Sequence, residues 1–472
     1  MRTLFLRALG VIYLVAFVSL WMQIHGLVGS HGILPVSDLM AAARSYFNAH
    51  QIGADRYRLL PTLAWISDAD AALTIQCAVG AAAAALVIAG VLTGPCLIVL
   101  WALYLSLSVA GQDFLGFQWD TLLTETGALA ILFAPWEWRV RPRASLPASP
   151  IALWLLRWLG FRLMVESGAV KLLSGDPSWR DLTALTVHYQ TQPLPTWIGW
   201  YMHQLPGWWQ TMSCVVMFAI ELGAPWLLFS GRRGRAIGAA LVVALQMLIL
   251  LTGNYTFFNW LAIALFLLWF EDATLARPTP VFERRRDLVP AIAAAIVLPI
   301  SVAQCSAALG WEPIVLAPGV AAAEWLAPLR SLNTYGLFAV MTTTRHEIVI
   351  EGSNDQVTWQ AYEFPDKPGD LARRPAFVAP YQPRLDWQMW FAALGTAGDQ
   401  PFFAPFLKRL LEGSPEVLKL LATNPFPGAP PRFIRAELYD YRFTTFAERR
   451  ATGSWWARTA IGEYVPVISL SR

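Results

Sequence analysis

One feature narrows the folds open to this chain before any motif is weighed. From Met1 to about Ala308 long apolar runs follow one another with little charge between them, while Trp311 to Arg472 has ordinary globular polarity. A run of about 20 apolar residues is what a helix needs to cross the hydrocarbon of a bilayer. The whole chain is 56% hydrophobic and only 14% charged, against about 25% charged residues in a typical soluble domain. The deficit sits in the first two thirds. The expected fold is a polytopic α-helical membrane domain over 1–308, a connector over 309–329, and a soluble α+β, β-sandwich-like domain over 330–472.

Nine spans are expected, at 8–28, 71–93, 95–112, 119–135, 150–172, 208–230, 236–252, 256–270 and 288–308. The first is too long for the apolar core of a signal peptide and ends without a small-residue cleavage site, so it reads as a retained helix. With the N-terminus in the cytoplasm, the cytoplasmic segments are 1–7, 136–149, 231–235 and 271–287. They carry Arg2, Arg7, Arg139, Arg141, Arg143, Arg232, Arg233, Arg235, Arg277, Arg284, Arg285 and Arg286, whereas the opposite loops carry Arg44, Arg56, Arg58 and Arg180. Twelve against four is a positive-inside bias. It puts the C-terminal domain on the periplasmic or lumenal side. The stretch 30–70 reads as an outer amphipathic helix with Ser37 or Asp38 near its N-cap.

The formal net charge of +3, with no basic cluster interleaved with aromatics, argues against a nucleic-acid partner. Cys77, Cys96, Cys214 and Cys305 lie inside apolar runs, without CxxC or metal-ligand spacing. They read as small hydrophobes, and the polar third has no cysteine to cross-link. No GxSxG, HExxH or triad signature is present. No metal and no cofactor are expected, and the residues favour a non-enzyme over an enzyme. No internal repeat or matched pair of broken helices speaks for a transporter.

In the polar third, His346 to Ile350, Gln356 to Phe364 and Phe433 to Phe446 read as strands, the first two joined by a Gly352-Ser353-Asn354-Asp355 turn. Leu385–Ala393, Phe402–Leu411 and Pro415–Ala422 read as helices.

Motifs from both parts of the chain resemble the lipase maturation factor family. They include Arg180-Asp181-Leu182-Thr183, His188-Tyr189-Gln190-Thr191-Gln192-Pro193, Gly253-Asn254-Tyr255 with Asn259-Trp260, and Asp272-Ala273-Thr274-Leu275. The polar third continues with Asn333-Thr334-Tyr335-Gly336-Leu337-Phe338, Val340-Met341-Thr342, Lys367-Pro368-Gly369 and Gln382-Pro383-Arg384-Leu385-Asp386-Trp387-Gln388-Met389-Trp390-Phe391. Known members are endoplasmic-reticulum membrane proteins that dimeric lipases need to reach their active form. The resemblance therefore implies a chaperone-like maturation factor whose partners are secreted client proteins such as lipases, together with membrane lipid. The alanine-rich, compact sequence is that expected of a bacterial-type member in an inner membrane. The absence of cysteines from the polar third argues against thiol exchange there.

Charges inside apolar runs need a reason, since each costs at least about 2.5–3.5 kcal/mol to insert. Arg157, Arg162 and Glu166 share one span with Lys171, and Arg162 and Glu166 stand i, i+4 for pairing on one face. Asp120, Glu125 and Glu221 supply counter-charges from other helices. The plain reading is an intramembrane polar network that fixes packing; the sharper one is a polar cavity for substrate or lipid headgroup. Lys171, followed by Asp176 and Trp179, is also similar to the catalytic-lysine neighbourhood of the vitamin K-dependent γ-carboxylase. That likeness implies an alternative, a membrane enzyme using Lys171 as base on a lipid-like cofactor or a protein side chain, against snorkelling as the plain role. Arg180, Asp181, His188, Tyr189, Gln192, Asp386, Trp387 and Trp390 are the candidate client-recognition residues. Of Trp387 and Trp390, one is expected in the core and the other on an exposed ridge.

Overall fold

The computed structural model describes residues 1–139, 148–270, 284–311 and 313–470, leaving aside the side chains of 284–286. Arg141, Arg143, Arg277 and the 272–275 motif lie outside these residues. The N-terminal part is a helical bundle. Its main helices are α1 (Arg2–Trp21), α2 (Val36–Ala49), α3 (Asp70–Ala89), α4 (Thr93–Ala110), α5 (Gln118–Phe133), α6 (Pro150–Leu173), α7 (Leu185–Thr191), α8 (Gly207–Phe218), α9 (Arg232–Thr252), α10 (Phe258–Leu267) and α11 (Arg284–Ala308).

Local chemistry sets the ends. Ser149 caps the start of α6 through Ala152 N, with Pro150 at the first helical position, where its missing N–H costs nothing. Gly90, at φ 74°, closes α3 in the left-handed conformation that glycine adopts without strain. α1 packs along α3, α3 on α4, α4 on α5, and α5 on α6. The closeness of the first pair depends on Gly80, where an added Cβ would stand 2.3 Å from the Phe17 ring.

Among the described residues, six helical segments are long and apolar enough to cross a membrane: α1, α3, α4, Gly207–Phe229, α9 and Asp287–Ala308. The runs expected at 119–135, 150–172 and 256–270 are helical too, as α5, α6 and α10, but do not meet that description. α5 has 16 residues and α10 has 10. α6 is 24 residues long and carries Arg157, Arg162, Glu166 and Lys171. α5 and α6 pack on each other, α10 packs on α1, α5, α6 and α9, and α11 covers α6. Helices enclosed by neighbours in this way need not be apolar all round. In the 30–70 stretch, α2 carries Asp38 in its first turn, and its N-cap is Pro35 rather than Ser37 or Asp38.

The C-terminal part is built on four antiparallel strands, β1 (Arg345–Ser353), β2 (Gln360–Ala361), β3 (Phe433–Phe443) and β4 (Trp456–Ile468), in the order β2-β1-β3-β4. The expected sandwich is corrected to this single sheet. Its inward side chains, Ile348 and Ile350 from β1 and Ile434 and Ala436 from β3, are fully buried. Helices α13 (Arg384–Ala392) on β1 and α14 (Phe403–Glu412) on β3 cover them where a second sheet would have been. The intervening α12 is Ala317–Leu326.

Three local readings also change. The strand expected over 356–364 shrinks to two residues because Asp355 Oδ1 accepts the Val357 and Thr358 N–H groups at 2.9 and 2.8 Å, taking donors a ladder would have used. The helix expected over 415–422 is only Pro415–Leu418. β4 was not expected at all.

The C-terminal domain sits at the end of the bundle where α1 and α4 finish and α5 begins, through Gln23, Phe114 and Asp120. The N-terminus is at the opposite end, where Arg2 Nε donates to Phe133 O.

Candidate functional site

The buried charges of the bundle converge on a strap, residues 330–341, that leads into the C-terminal sheet. Glu125 is fully buried. One of its oxygens takes the Arg162 guanidinium, and the other accepts Asn333 N at 3.0 Å, Asn333 Nδ2 at 3.1 Å and the Tyr335 hydroxyl at 2.7 Å. Arg162 donates onward to Asn333 O. The expected Arg162–Glu166 pairing is therefore corrected: Arg162 is bonded to Glu125, and Glu166 Oε2 accepts Tyr335 N at 2.8 Å. Gln118 Oε1 holds Gly336 N, and Asp176 Oδ2 holds Met341 N at 2.6 Å. These buried polar groups bond across the two parts of the chain rather than between helices alone. Arg157, further along α6, donates to Leu268 O after α10.

A second joint lies around Arg384 at the start of α13. Its guanidinium makes a two-pronged contact with Asp120, 3.0 and 3.1 Å, and donates to Phe114 O at 2.6 Å. Tyr104 supplies a further hydroxyl to Asp120. Arg384 and Asp120 are 1% and 0% exposed. Beside them Gln23 donates to Gln382 O and accepts Arg384 N.

The third joint uses the loop after α7. Arg345, buried on β1, donates to Gln190 O, Gln192 O and Pro193 O and pairs with Glu347, which also takes Lys367 Nζ at 2.8 Å. Asn254 clamps the far side. Its Nδ2 donates to Leu194 O and Ala376 O, and its Oδ1 accepts Val378 N and Ala379 N. The neighbouring Gly253 is needed for contact, since a Cβ there would meet Gln192 Oε1 at 2.0 Å.

Between α8 and α9, next to this loop, lies a cavity of about 680 Å³. Its polar wall holds Lys171, whose Nζ is 2.6 Å from Glu221 Oε2 and 3.1 Å from Ser167 O. Lys171 is thus sequestered in a buried ion pair. Tyr255 donates to Gln192 Oε1 at 2.7 Å and lies 3.1 Å from His188 Nε2. Burial, reinforced by the Lys171 charge, pushes the His188 imidazole down to about 4, so the ring is neutral at neutral pH.

The structure divides the candidate recognition residues. Arg180 and Asp181 are exposed at the end of a short helix, Pro177–Arg180. His188, Tyr189 and Gln192 face inward, Tyr189 in an aromatic cluster with Trp200, Tyr441 and Phe443. Trp387 and Trp390 are both buried, against the expectation that one would be exposed. Trp387 packs edge-on to Trp119 of α5, and Trp390 Nε1 donates to Thr191 O at the end of α7.

Asp386 accepts the N–H groups of Asp366 and Lys367, both at 2.8 Å. Burial, and then the Asp366 carboxylate, push it up to about 7 from 3.8. The native state thus keeps a proton that the unfolded chain releases, so this residue's contribution to stability is lost as pH rises from about 4 to 7. Asp386→Asn keeps an acceptor oxygen without the charge. Relative to this variant, the wild-type melting temperature should fall between pH 5 and pH 8; parallel profiles would refute the assignment.

Sequence reasoning singled out the bundle's carboxylates but missed Gln23, Asn254, Asn333, Tyr335, Arg345 and Arg384 as their partners and counterparts. A signal was present for several of them, as polar residues inside the motifs quoted above.

Several of the motifs that carry the resemblance thus supply joints of this seam, through Asn254, Asn333, Tyr335 and Arg384. A model of the lipase maturation factor transmembrane domain matches residues 1–277, and one of the lipase maturation factor C-terminal domain matches residues 331–466. The chain belongs to the lipase maturation factor family. Lipase maturation factor 2 of Gallus gallus is 36% identical over 99% of this chain and 81% of its own length. Lipase maturation factor 1 of Mus musculus is 35% identical over 99% and 87%, and that of Homo sapiens 34% identical over 99% and 88%. No solved structure matches the chain. These family relationships give the carboxylase-like alternative no support.

Proposed function

We propose that this membrane protein is a maturation factor for secreted lipases, acting as a chaperone-like folding factor. The observation that carries the reading is identity of 34–36% to lipase maturation factors over 99% of the chain. The division into 1–308, a 309–329 connector and 330–472 is our reading, supported by the extents of the two family matches. We read nine crossings, counting α5, α6 and α10, with the N-terminus cytoplasmic and the C-terminal domain periplasmic or lumenal. The arginine bias and the placement of that domain opposite the N-terminus support this. Exposed Arg180 and Asp181 are the recognition residues placed to touch a client, while His188, Tyr189, Gln192, Asp386, Trp387 and Trp390 hold that surface in shape.

Deleting the gene should lower the specific activity of a secreted lipase several-fold while leaving its synthesis unchanged. Unaltered specific activity across the host's secreted lipases would refute the function. Orientation is tested separately by labelling single cysteines at Ser178 and Arg233 with a membrane-impermeant thiol reagent. Only the first should react in intact cells.

A further inference from the structure

The cavity between α8 and α9 has features that the seam does not explain. Both walls belong to membrane-crossing segments, and Met212, Val216, Leu248 and Leu251 line it while remaining exposed on the bundle surface. The opening therefore faces bilayer hydrocarbon rather than water. Trp208 and Trp209 stand at its outer end, exposed, as interfacial indoles do. Its volume of about 680 Å³ lies within the roughly 300–1,000 Å³ typical of small-molecule sites.

The polar groups inside specify more than greasiness. Lys171 and Glu221 neutralise one another, so an anionic head would meet Glu221 and a cationic one Lys171. Glu221 is presented on a π-helical turn, Ala219–Gly223, a distortion that recurs at functional sites. Two acceptors are left over. Asn259 is 1% exposed, its Nδ2 is spent on Gln246 Oε1, and its Oδ1 has no partner. Tyr255 gives its proton to Gln192, so His188 Nε2 is the donor in the 3.1 Å contact between them. His188 Nδ1 is then a bare acceptor, buried and also without a partner. A buried acceptor without a donor is destabilising, and a ligand hydroxyl would relieve it.

We propose that this cavity binds one uncharged, hydroxyl-bearing lipid of the acylglycerol class, its chain between α8 and α9 and its hydroxyls on Asn259 Oδ1 and His188 Nδ1. The ion pair excludes charged heads, and the opening admits the lipid sideways from the bilayer.

The test uses the full-length protein in nanodiscs and radiolabelled monooleoylglycerol. Saturable binding should be competed by unlabelled monooleoylglycerol at least tenfold better than by methyl oleate, which has no hydroxyl, or by oleate, which is charged. Asn259→Leu should erase the preference over methyl oleate. Val216→Trp, which fills the opening from an exposed position, should reduce binding tenfold or more. Ile75→Trp, on the exposed face of α3, should leave binding unchanged. Equal competition by the three lipids, or undiminished binding in a well-folded Val216→Trp protein, would overturn the assignment. So would retention of phosphatidylglycerol alone.

Discussion

An Arg384→Met variant should lose about 3–5 kcal/mol of stability, the usual cost of stranding one partner of a buried ion pair. That is a large share of the roughly 5–15 kcal/mol that holds a typical domain together. The cost arises because Asp120 would remain in place, fully buried, with the Tyr104 hydroxyl as its remaining side-chain hydrogen bond. The contrast with the double replacement is the informative part. In Asp120→Leu/Arg384→Met neither charge remains, and buried pairs replaced by apolar residues are often neutral in stability. Most of the loss should therefore be recovered. A convenient readout is built into the chain, since Cys77, Cys96, Cys214 and Cys305 are all buried free thiols. Heating in detergent with a thiol-reactive dye should show Arg384→Met unfolding well below wild type and the double variant close to it. If the single variant melted with wild type, the joint would not bear on stability.

The second large effect is expected at Glu125. Glu125→Ala removes the counter-charge of Arg162 and at once leaves Asn333 N and the Tyr335 hydroxyl without their acceptor, while Asn333 Nδ2 keeps Arg330 O at 3.0 Å. Each stranded neutral donor costs about 1–3 kcal/mol, and a stranded charge more. The sum approaches the whole stability of a domain, so the variant should fail to accumulate or accumulate with the 309–341 region open to protease. Tyr335→Phe isolates one bond of the same hub and should cost only about 0.5–1.5 kcal/mol. A protease pattern unchanged in Glu125→Ala would show that the strap is held by other contacts.

The sequence revealed the membrane domain because hydropathy is a local property that needs no partner to be read. It also marked Asp120, Glu125, Arg162 and Glu166 as a network, since charges in apolar runs stand out one at a time. Their pairing was another matter. The i, i+4 spacing of Arg162 and Glu166 is a true helical neighbour relation, but buried Glu125 from α5 and the strap's N–H groups offered closer bonds. Partners 208 and 264 residues away leave no trace in a local pattern. β4 escaped for a similar reason. Most of its residues are exposed, so it lacks the alternation of buried and open positions, and Gly462 and Pro466 sit inside it. Its existence depends on β3 offering an edge. Trp387 and Trp390 looked like one core and one surface residue because a helix of a free-standing domain would have had an outer face. Here that face is pressed on the bundle.

The distance along the chain between Asp120 and Arg384 also imposes an order in time. The two are separated by 264 residues, which at a synthesis rate of about 5–20 residues per second takes roughly 13–53 s to make. Throughout that interval α5 is in place with a carboxylate that has no cation, and Glu125 likewise awaits Asn333 and Tyr335. The membrane half of this protein is thus born unfinished. It reaches its final packing only after the last third of the chain has been made and has folded back onto it.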